Sequence, residues 1–287
     1  RYRYIKDPDH PEKQNLQVSE TLPEDKTVVF GSRPCGTRGF VIYDKVFDTD
    51  SVTDPYYKAR RENTAFITVA CDKVENTCFC HWVGSHPGDQ EGSDVILYPL
   101  ATGYVAEAVT ERGQDLLDKA SGIKASSGQE EEAASVQKQV RAELGEAPDL
   151  SSVPQDLLHL FDNLDFWNEV SAKCISCGAC TYLCPTCYCF NITDEPAGMS
   201  GNRVRTWDNC MSFLFTLEGS GHNPRMTKAH RLRNRVGHKF SYYPQLHAGL
   251  FACCGCGRCI QHCPVAVDIR EIVLRAKETA DEQSISA

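Results

Sequence analysis

Two stretches of the sequence decide the fold, and they carry the same cysteine pattern. The first reads Cys174-Ile-Ser-Cys177-Gly-Ala-Cys180-Thr-Tyr-Leu-Cys184-Pro185, and the second reads Cys253-Cys254-Gly-Cys256-Gly-Arg-Cys259-Ile-Gln-His-Cys263-Pro264. Both contain the pattern C-x2-C-x2-C-x3-C-P, and every cysteine of the first copy has its counterpart 79 residues later. Two copies at one constant offset indicate an internal repeat of a single ligand pattern.

The repeated pattern is typical of proteins that bind two 4Fe–4S clusters. Three thiolates on one short loop ligate one cluster, and the fourth cysteine of that loop ligates the other cluster. The proline after the fourth cysteine has no N–H and turns the chain away from the cluster. Gly178 and Gly255 allow the backbone to approach the cluster closely. A structural zinc site needs only paired C-x2-C knuckles, so it explains neither the third cysteine nor the Cys-Pro ending.

The spacing therefore predicts which cysteines share a cluster. Cluster 1 is predicted to be held by Cys174, Cys177, Cys180 and Cys263, and cluster 2 by Cys253, Cys256, Cys259 and Cys184. The chain has 16 cysteines, and four of those near the two motifs have no place in this assignment: Cys187, Cys189, Cys210 and Cys254. These four are interpreted as buried unreactive thiols. A fourth four-cysteine site, or Cys187 acting as a ligand in place of Cys184, are the other interpretations.

Composition excludes several other classes of protein. A chain of 287 residues can bury a large core, so its cysteines are not needed as disulfide staples. The formal net charge of −9 argues against a nucleic-acid binder. With 24% charged and 41% hydrophobic residues, the chain is expected to fold as a globular protein. No apolar run reaches the ~18 residues of a membrane span, so we expect no membrane span and a cytoplasmic location.

The pattern of elements predicts an α+β protein in three parts. A mixed α/β domain is expected over residues 1–125, a surface helix and linker over 126–154, and a helix-rich two-cluster ferredoxin-like domain over 155–287. A helical insertion is expected at about 208–249. Strands are predicted at 27–30, 65–70, 94–98 and 104–109, and helices at 55–63, 106–120 and 155–172. Asp268 is predicted to cap a last helix whose buried face carries Ile269, Ile272, Val273 and Ala276.

The N-terminal part contains a third group of cysteines, Cys35, Cys71, Cys78 and Cys80. The first two follow predicted strands, where loops present ligands from a rigid scaffold. Four thiolates from three loops fit one further 4Fe–4S cluster or one tetrahedral zinc ion. Unliganded core thiols or reactive thiols are the third interpretation, because a C-x-C pair is less diagnostic than the repeated motif.

A basic segment lies between the two motifs. Residues 221–240 contain no acidic residue and six basic ones, which are Arg225, Lys228, Arg231, Arg233, Arg235 and Lys239. One interpretation is a solvated helix that pairs with the chain's own acidic residues. The second is a set of cations that neutralise the anionic clusters and raise their reduction potential, and the third is a docking face for an acidic partner. His222, His230 and His238 are predicted to be structural residues rather than ligands.

Further blocks of sequence resemble a known family. They are Gly31-Ser-Arg-Pro-Cys35, Asp54-Pro-Tyr56-Tyr57-Lys-Ala-Arg60-Arg61-Glu62-Asn63, Cys78-Phe-Cys80, Cys184-Pro-Thr-Cys187-Tyr-Cys189-Phe190, Trp207-Asp-Asn-Cys210, Gly221-His222-Asn223-Pro-Arg225 and Arg231-x-Arg233-x-Arg235-x2-His238-Lys239. In these blocks the chain resembles the iron–sulfur β subunit of the sulfhydrogenase type, the A subunit of anaerobic sulfite reductases and the dicluster subunit of Flx-type NADH dehydrogenases. The resemblance implies an electron-transfer subunit, and it favours a third 4Fe–4S cluster at the N-terminal cysteines.

The expected function is that of an electron-transfer subunit in a multisubunit anaerobic redox complex. The chain has no G-x-G-x-x-G between a strand and a helix, no P-loop and no catalytic triad, so we expect it to hold no flavin or nicotinamide and no catalytic residue. The resemblance implies two partners, a flavin-containing diaphorase-type subunit or ferredoxin and a catalytic subunit of NiFe hydrogenase, sulfite reductase or heterodisulfide reductase type. The alternatives are a reductase acting directly on a sulfur compound at a cluster, and a zinc-stabilised interaction module.

Overall fold

The computed structural model describes residues 2–6, 9 and 16–285, which form two four-stranded sheets and eleven α-helices. The strands are β1 (Tyr2–Lys6), β2 (Leu16–Glu20), β3 (Thr27–Ser32), β4 (Thr64–Val69), β5 (Val95–Pro99), β6 (Tyr104–Ala108), β7 (Phe190–Ala197) and β8 (Ser200–Trp207). The helices are α1 (Pro34–Phe47), α2 (Pro55–Glu62), α3 (Glu111–Asp118), α4 (Ser127–Glu143), α5 (Val153–His159), α6 (Leu164–Val170), α7 (Ala179–Tyr182), α8 (Lys228–Gly237), α9 (Tyr243–Leu246), α10 (Arg258–Gln261) and α11 (Ile269–Ile285). The α+β fold class is confirmed.

The first sheet has the order β3-β4-β5-β6, with three parallel strands and an antiparallel β6. Helices α1 and α2 connect β3 to β4, so the carboxyl ends of these two strands lie at the same edge of the sheet. The four predicted strands are confirmed. The helical stretch predicted within 106–120 is α3. The residues before it belong to β6, because Ala108 still pairs with Val95, and Thr110 caps α3 through the backbone N–H of Gly113.

The second sheet was not predicted from the sequence. Its order is β2-β1-β8-β7, and all its strand pairs are antiparallel. Strands β7 and β8 form a hairpin directly after the first cysteine motif, and all eight residues of β7 are exposed. A strand with no buried face shows no alternation of apolar and polar residues. This hairpin lies between the first cysteine motif and the helical insertion at about 208–249.

The main hydrophobic core lies under the cysteine motifs. It is formed by α5, α6, α8 and α11 together with Phe79 and Val83 from the N-terminal part. The single helix predicted over 155–172 is wrong, because the side chain of Asn163 accepts the backbone N–H of Phe166 and starts a new helix there. Leu157 is buried, whereas Leu158 on the expected face is exposed. Because Phe79 and Val83 belong to the same core as these helices, the N-terminal and C-terminal parts share one core.

The other predicted helices agree with the structure. The carboxylate of Asp268 accepts the backbone N–H of Arg270 at 2.8 Å, and the expected apolar face of α11 is buried. Ser126 and Gln129 form a capping box at the start of α4, in the predicted surface segment. Residues 208–249 contain α8, a π-helical turn over His238–Tyr242 and α9, as the helical insertion requires. In the part of the chain that the structure describes, every helix is too short or too polar to span a bilayer.

Candidate iron–sulfur sites

The two cysteine motifs have the same backbone conformation. Ser176 and its counterpart Gly255 both adopt a positive φ, 57° and 61°. Gly178 and its counterpart Gly257 also do so, with 77° and 70°, and each precedes a helix of four residues, α7 or α10. The left-handed conformation is energetically unfavourable for Ser176, because this residue has a Cβ. The 79-residue repeat of the sequence is thus a repeat of structure.

Backbone N–H groups point at sulfur atoms in both motifs. The N–H of Ser176 donates to Cys174 Sγ at 3.4 Å, and the N–H of Gly255 donates to Cys253 Sγ at the same distance. A third donation runs from the N–H of Val267 to Cys263 Sγ at 3.2 Å. Hydrogen bonds to sulfur stabilise negative charge on a thiolate and on an iron–sulfur cluster. The loops therefore place backbone donors where they would stabilise the negative charge of a cluster-bound sulfur.

Each predicted set of four cysteines lines one cavity. Cys174, Cys177, Cys180 and Cys263 line the first cavity, which we call site 1. Cys184, Cys253, Cys256 and Cys259 line the second, which we call site 2. Cys259 also reaches the wall of site 1, so the two cavities adjoin. Three thiols from one loop and one from the other are the donor set of a two-cluster ferredoxin. The residues present fit a 4Fe–4S cluster at each site.

The N-terminal cysteines also come together, at the edge where β3 and β4 end. Cys35 lies in the first turn of α1, and Cys71 follows β4. Burial, followed by the neighbouring charges of Cys78 and Cys71, raises the pKa of the Cys80 thiol to about 12. Burial likewise raises the pKa of the Cys35 thiol to about 12. We call this group the N-terminal thiol site.

The loop of site 2 packs directly on the N-terminal thiol site. The backbone N–H of Phe79 donates to Gly255 O at 2.8 Å. A Cβ at Gly255 would lie 2.5 Å from the Cα and N of Cys80, so only glycine fits there. On the other side, Arg258 Nη2 lies 4.0 Å from Cys35 Sγ. The charge of Cys256 contributes to the raised pKa of Cys35, second to burial. The N-terminal thiol site and site 2 are therefore neighbours.

Among residues 2–6, 9 and 16–285, no three His, Cys, Asp or Glu side chains converge in the way that one metal ion requires.

The comparisons with known proteins agree with the cysteine pattern. Residues 173–267 match the 4Fe-4S dicluster domain family. The chain is 30% identical over 275 residues to sulfhydrogenase 2 subunit beta of Pyrococcus furiosus, covering 92% of this chain and 78% of that protein. The chain belongs to the sulfhydrogenase β-subunit family. No solved structure matches the chain significantly.

In this sulfhydrogenase-type subunit, two buried cations lie against the first cysteine motif. Arg235 is 3% exposed, and its guanidinium donates to Cys187 Sγ at 3.3 Å and to Cys180 O at 2.6 Å. Lys239 is 4% exposed, and its ammonium donates to Thr186 Oγ1 at 2.7 Å and to Ala252 O at 2.8 Å. Burial favours the neutral form of each, but the neighbouring thiolates raise the pKa of both above the usual value.

The solvated-helix interpretation of the basic segment is therefore wrong. Arg231, Arg235 and Lys239 are buried, and no ion pair between described residues includes a lysine or arginine of 221–240. The lack of acidic residues in 221–240 marks this segment as unusual, but the sequence does not show that its basic side chains are buried. The histidines form hydrogen bonds or ion pairs with protein groups, as predicted. His238 Nε2, for example, lies 2.8 Å from the Tyr188 hydroxyl.

The four cysteines without an assigned site do not form one group. Cys187, Cys189 and Cys210 lie beside the first motif, and a hydrogen bond between Cys189 and Cys210 lowers the pKa of the Cys189 thiol. Cys254 lies on the other side, where its hydrogen bond lowers the pKa of Cys256 to about 7. The structure therefore does not assemble these four as a fourth four-cysteine site. Cys187 is in hydrogen-bond contact with Cys184, so the predicted ligand exchange stays a prediction.

Proposed function

We propose that the chain relays single electrons through three adjacent 4Fe–4S sites of a larger redox complex. The observation that carries the proposal is the contact between the loop of site 2 and the N-terminal thiol site at Gly255 and Cys80. Site 2 also adjoins site 1 through Cys259. The order along the relay is then the N-terminal thiol site, site 2 and site 1, with cluster ligands assigned as the spacing predicts.

A bound 4Fe–4S cluster takes up and releases one electron, at a potential set by hydrogen bonds to sulfur, local charge and solvent exposure. This chain contributes the backbone N–H donors of Ser176 and Gly255 and the buried cations Arg235 and Lys239. Both features favour the more negative, reduced form of a cluster. The subunit is thus proposed to hold its electrons at a higher potential than the same thiolates in an apolar site.

The family supports a role inside a complex. The relative in Pyrococcus furiosus is named as the beta subunit of a sulfhydrogenase. By analogy, we propose that this chain joins a flavin-containing or ferredoxin-type electron partner to a catalytic subunit of hydrogenase, sulfite reductase or heterodisulfide reductase type. The residues of the three sites are cysteines, held by backbone and buried cations, so the proposed role in the chain is transfer of electrons rather than bond chemistry.

An EPR-monitored redox titration of the anaerobically purified chain tests this proposal. Dithionite reduction is expected to give signals of reduced 4Fe–4S clusters that are broadened by magnetic interaction between neighbouring sites. A Cys256→Ser variant, which removes a ligand of the middle site, is expected to lose that interaction. A protein that shows no paramagnetic reduction, or isolated signals without interaction, contradicts the relay. Protein that contains only zinc would support the interaction-module alternative instead.

A further inference from the structure

Site 1 is the only one of the three thiol sites with an exposed cysteine. Within the described residues, Cys177 is exposed, whereas every cysteine assigned to site 2 or to the N-terminal thiol site is buried or half-buried. A ligand at the surface brings its cluster to the surface. Since electron transfer between proteins requires the two cofactors to be close, site 1 is an end of the relay that a partner protein can reach.

Several apolar side chains on the first cysteine motif and on the segment after β8 are exposed. We call them the apolar collar, and they are Ile175, Tyr182, Leu183, Phe213, Leu214 and Met226. Ile175 is 61% exposed and Leu214 is 71% exposed, so both present most of their apolar side chain to solvent. Clustered exposed apolar side chains mark interaction sites.

Hydrogen bonds link the segments that carry the collar residues, although these segments are distant in sequence. Asn209 Nδ2 donates to the Tyr182 hydroxyl at 3.1 Å, and this links the first motif to the segment that carries Leu214. Asn223 Nδ2 donates to Phe213 O at 2.8 Å. Farther along the segment, Arg231 donates to Met226 O at 2.9 Å and to Ser176 Oγ at 3.2 Å. These bonds hold the segments that carry Phe213 and Met226 against the first cysteine motif, which contains Cys177.

Three basic residues lie on the segments that carry the collar. Arg225 and Lys228 lie on either side of Met226 in the sequence, and Lys173 is exposed two residues before Ile175. None of the three is in an ion pair with another described residue. Lys228 donates to backbone oxygens of Ala172 and Cys174 and so holds its charge beside the first motif. An apolar centre with a cationic edge is complementary to an apolar patch rimmed by carboxylates.

We propose that the apolar collar is the docking surface for a redox partner protein, which presents an apolar patch with an acidic rim and carries its own cofactor near that patch. The inference rests on the proposed relay, because it assigns site 1 as the terminus through which electrons enter or leave. Apolar contact at the collar excludes water between the two cofactors, and the cations orient the partner.

A photo-crosslinking amino acid at position 214 tests the contact. The matched control is position 123, since Ile123 is also a fully exposed aliphatic residue (91%) but lies outside the cysteine motifs. In the complex purified through a tag on this chain, the position 214 crosslink is expected to map to a different subunit, on a peptide near its flavin, haem or cluster ligands. A crosslink to a second copy of this chain, or none from position 214 in an intact complex, overturns the proposal.

A charge substitution separates this proposal from the relay itself. Leu214→Glu places a carboxylate at the collar and is expected to weaken binding of the crosslinked subunit about tenfold or more, whereas Ile123→Glu leaves it unchanged. Met226→Glu is the second variant if Leu214→Glu does not fold. Iron content and dithionite reduction are measured on every variant. If the unsubstituted chain contains no iron or is not reduced by dithionite, the relay is contradicted. If Leu214→Glu has normal iron content and reduction and still binds the partner subunit as tightly, only the docking surface is contradicted.

Discussion

The contact between site 2 and the N-terminal thiol site predicts that Gly255→Ala damages the relay at its centre. Two costs add at this position. A residue with a Cβ pays about 1–2 kcal/mol for the left-handed φ of 61°. The new Cβ also lies 2.5 Å from the backbone of Phe79 and Cys80, which cannot move aside as a side chain end would, and overpacking of this kind costs about 1–3 kcal/mol. The sum is about 2–5 kcal/mol.

Gly249→Ala is the matched control. Gly249 has a φ of 85°, but nothing lies within 4 Å of its added Cβ, so this variant pays only the conformational cost. The melting temperatures of the two variants are measured under argon at one scan rate, from the loss of visible absorbance and of far-UV circular dichroism on heating. A cost of 1 kcal/mol lowers the melting temperature of a large domain by about 2–4 °C. We expect a shift of about 2–8 °C for Gly249→Ala and about 4–20 °C for Gly255→Ala. Equal shifts for the two variants would refute the packing of site 2 on the N-terminal thiol site.

Three other predictions concern the buried cations, a helix cap and a ligand. Arg235→Gln should lower the potential of the cluster in site 1 or site 2 by about 50–100 mV in an EPR titration. Arg235→Lys should not, and neither should Arg233→Gln, because the half-buried Arg233 donates to Phe161 O rather than to the first cysteine motif. Hydrogen bonds from Arg205 and from the Tyr57 N–H outweigh burial and lower the pKa of Asp54. Asp54→Ala should therefore cost about 1 kcal/mol in unfolding followed by circular dichroism at neutral pH, and this difference should vanish as the pH falls through that lowered pKa. Cys253→Ser should lose about four irons in metal analysis, and unchanged iron would contradict the assignment of site 2.

The parts of the molecule that the sequence predicted are those with a strong local signal. The two cysteine motifs indicated an internal repeat of one ligand pattern, and the structure repeats the backbone conformation at Ser176 and Gly255. The parallel strands β3 and β4 have apolar runs bounded by turn residues, so they were found. The face of α11 was predicted because Asp268 is a strong cap and the apolar residues after it follow the helical period.

The parts that were missed depend on contacts between distant segments. The hairpin β7 and β8 has no buried face, and it is stabilised by β1, a strand nearly 200 residues earlier. Arg235 and Lys239 are buried because thiols and carbonyl oxygens surround them. In the sequence alone, six basic residues among the twenty of 221–240 favour a solvated helix. The packing of Gly255 on Cys80 joins two motifs that no local pattern relates.

Iron, sulfide and zinc analysis of the anaerobically purified chain distinguishes three clusters from two clusters and from bound zinc. Three sites of four thiols predict about twelve irons and about twelve sulfides per chain, with zinc absent. About eight of each would remove the cluster from the N-terminal thiol site and leave sites 1 and 2. A colourless protein that contains zinc and no sulfide would contradict the account.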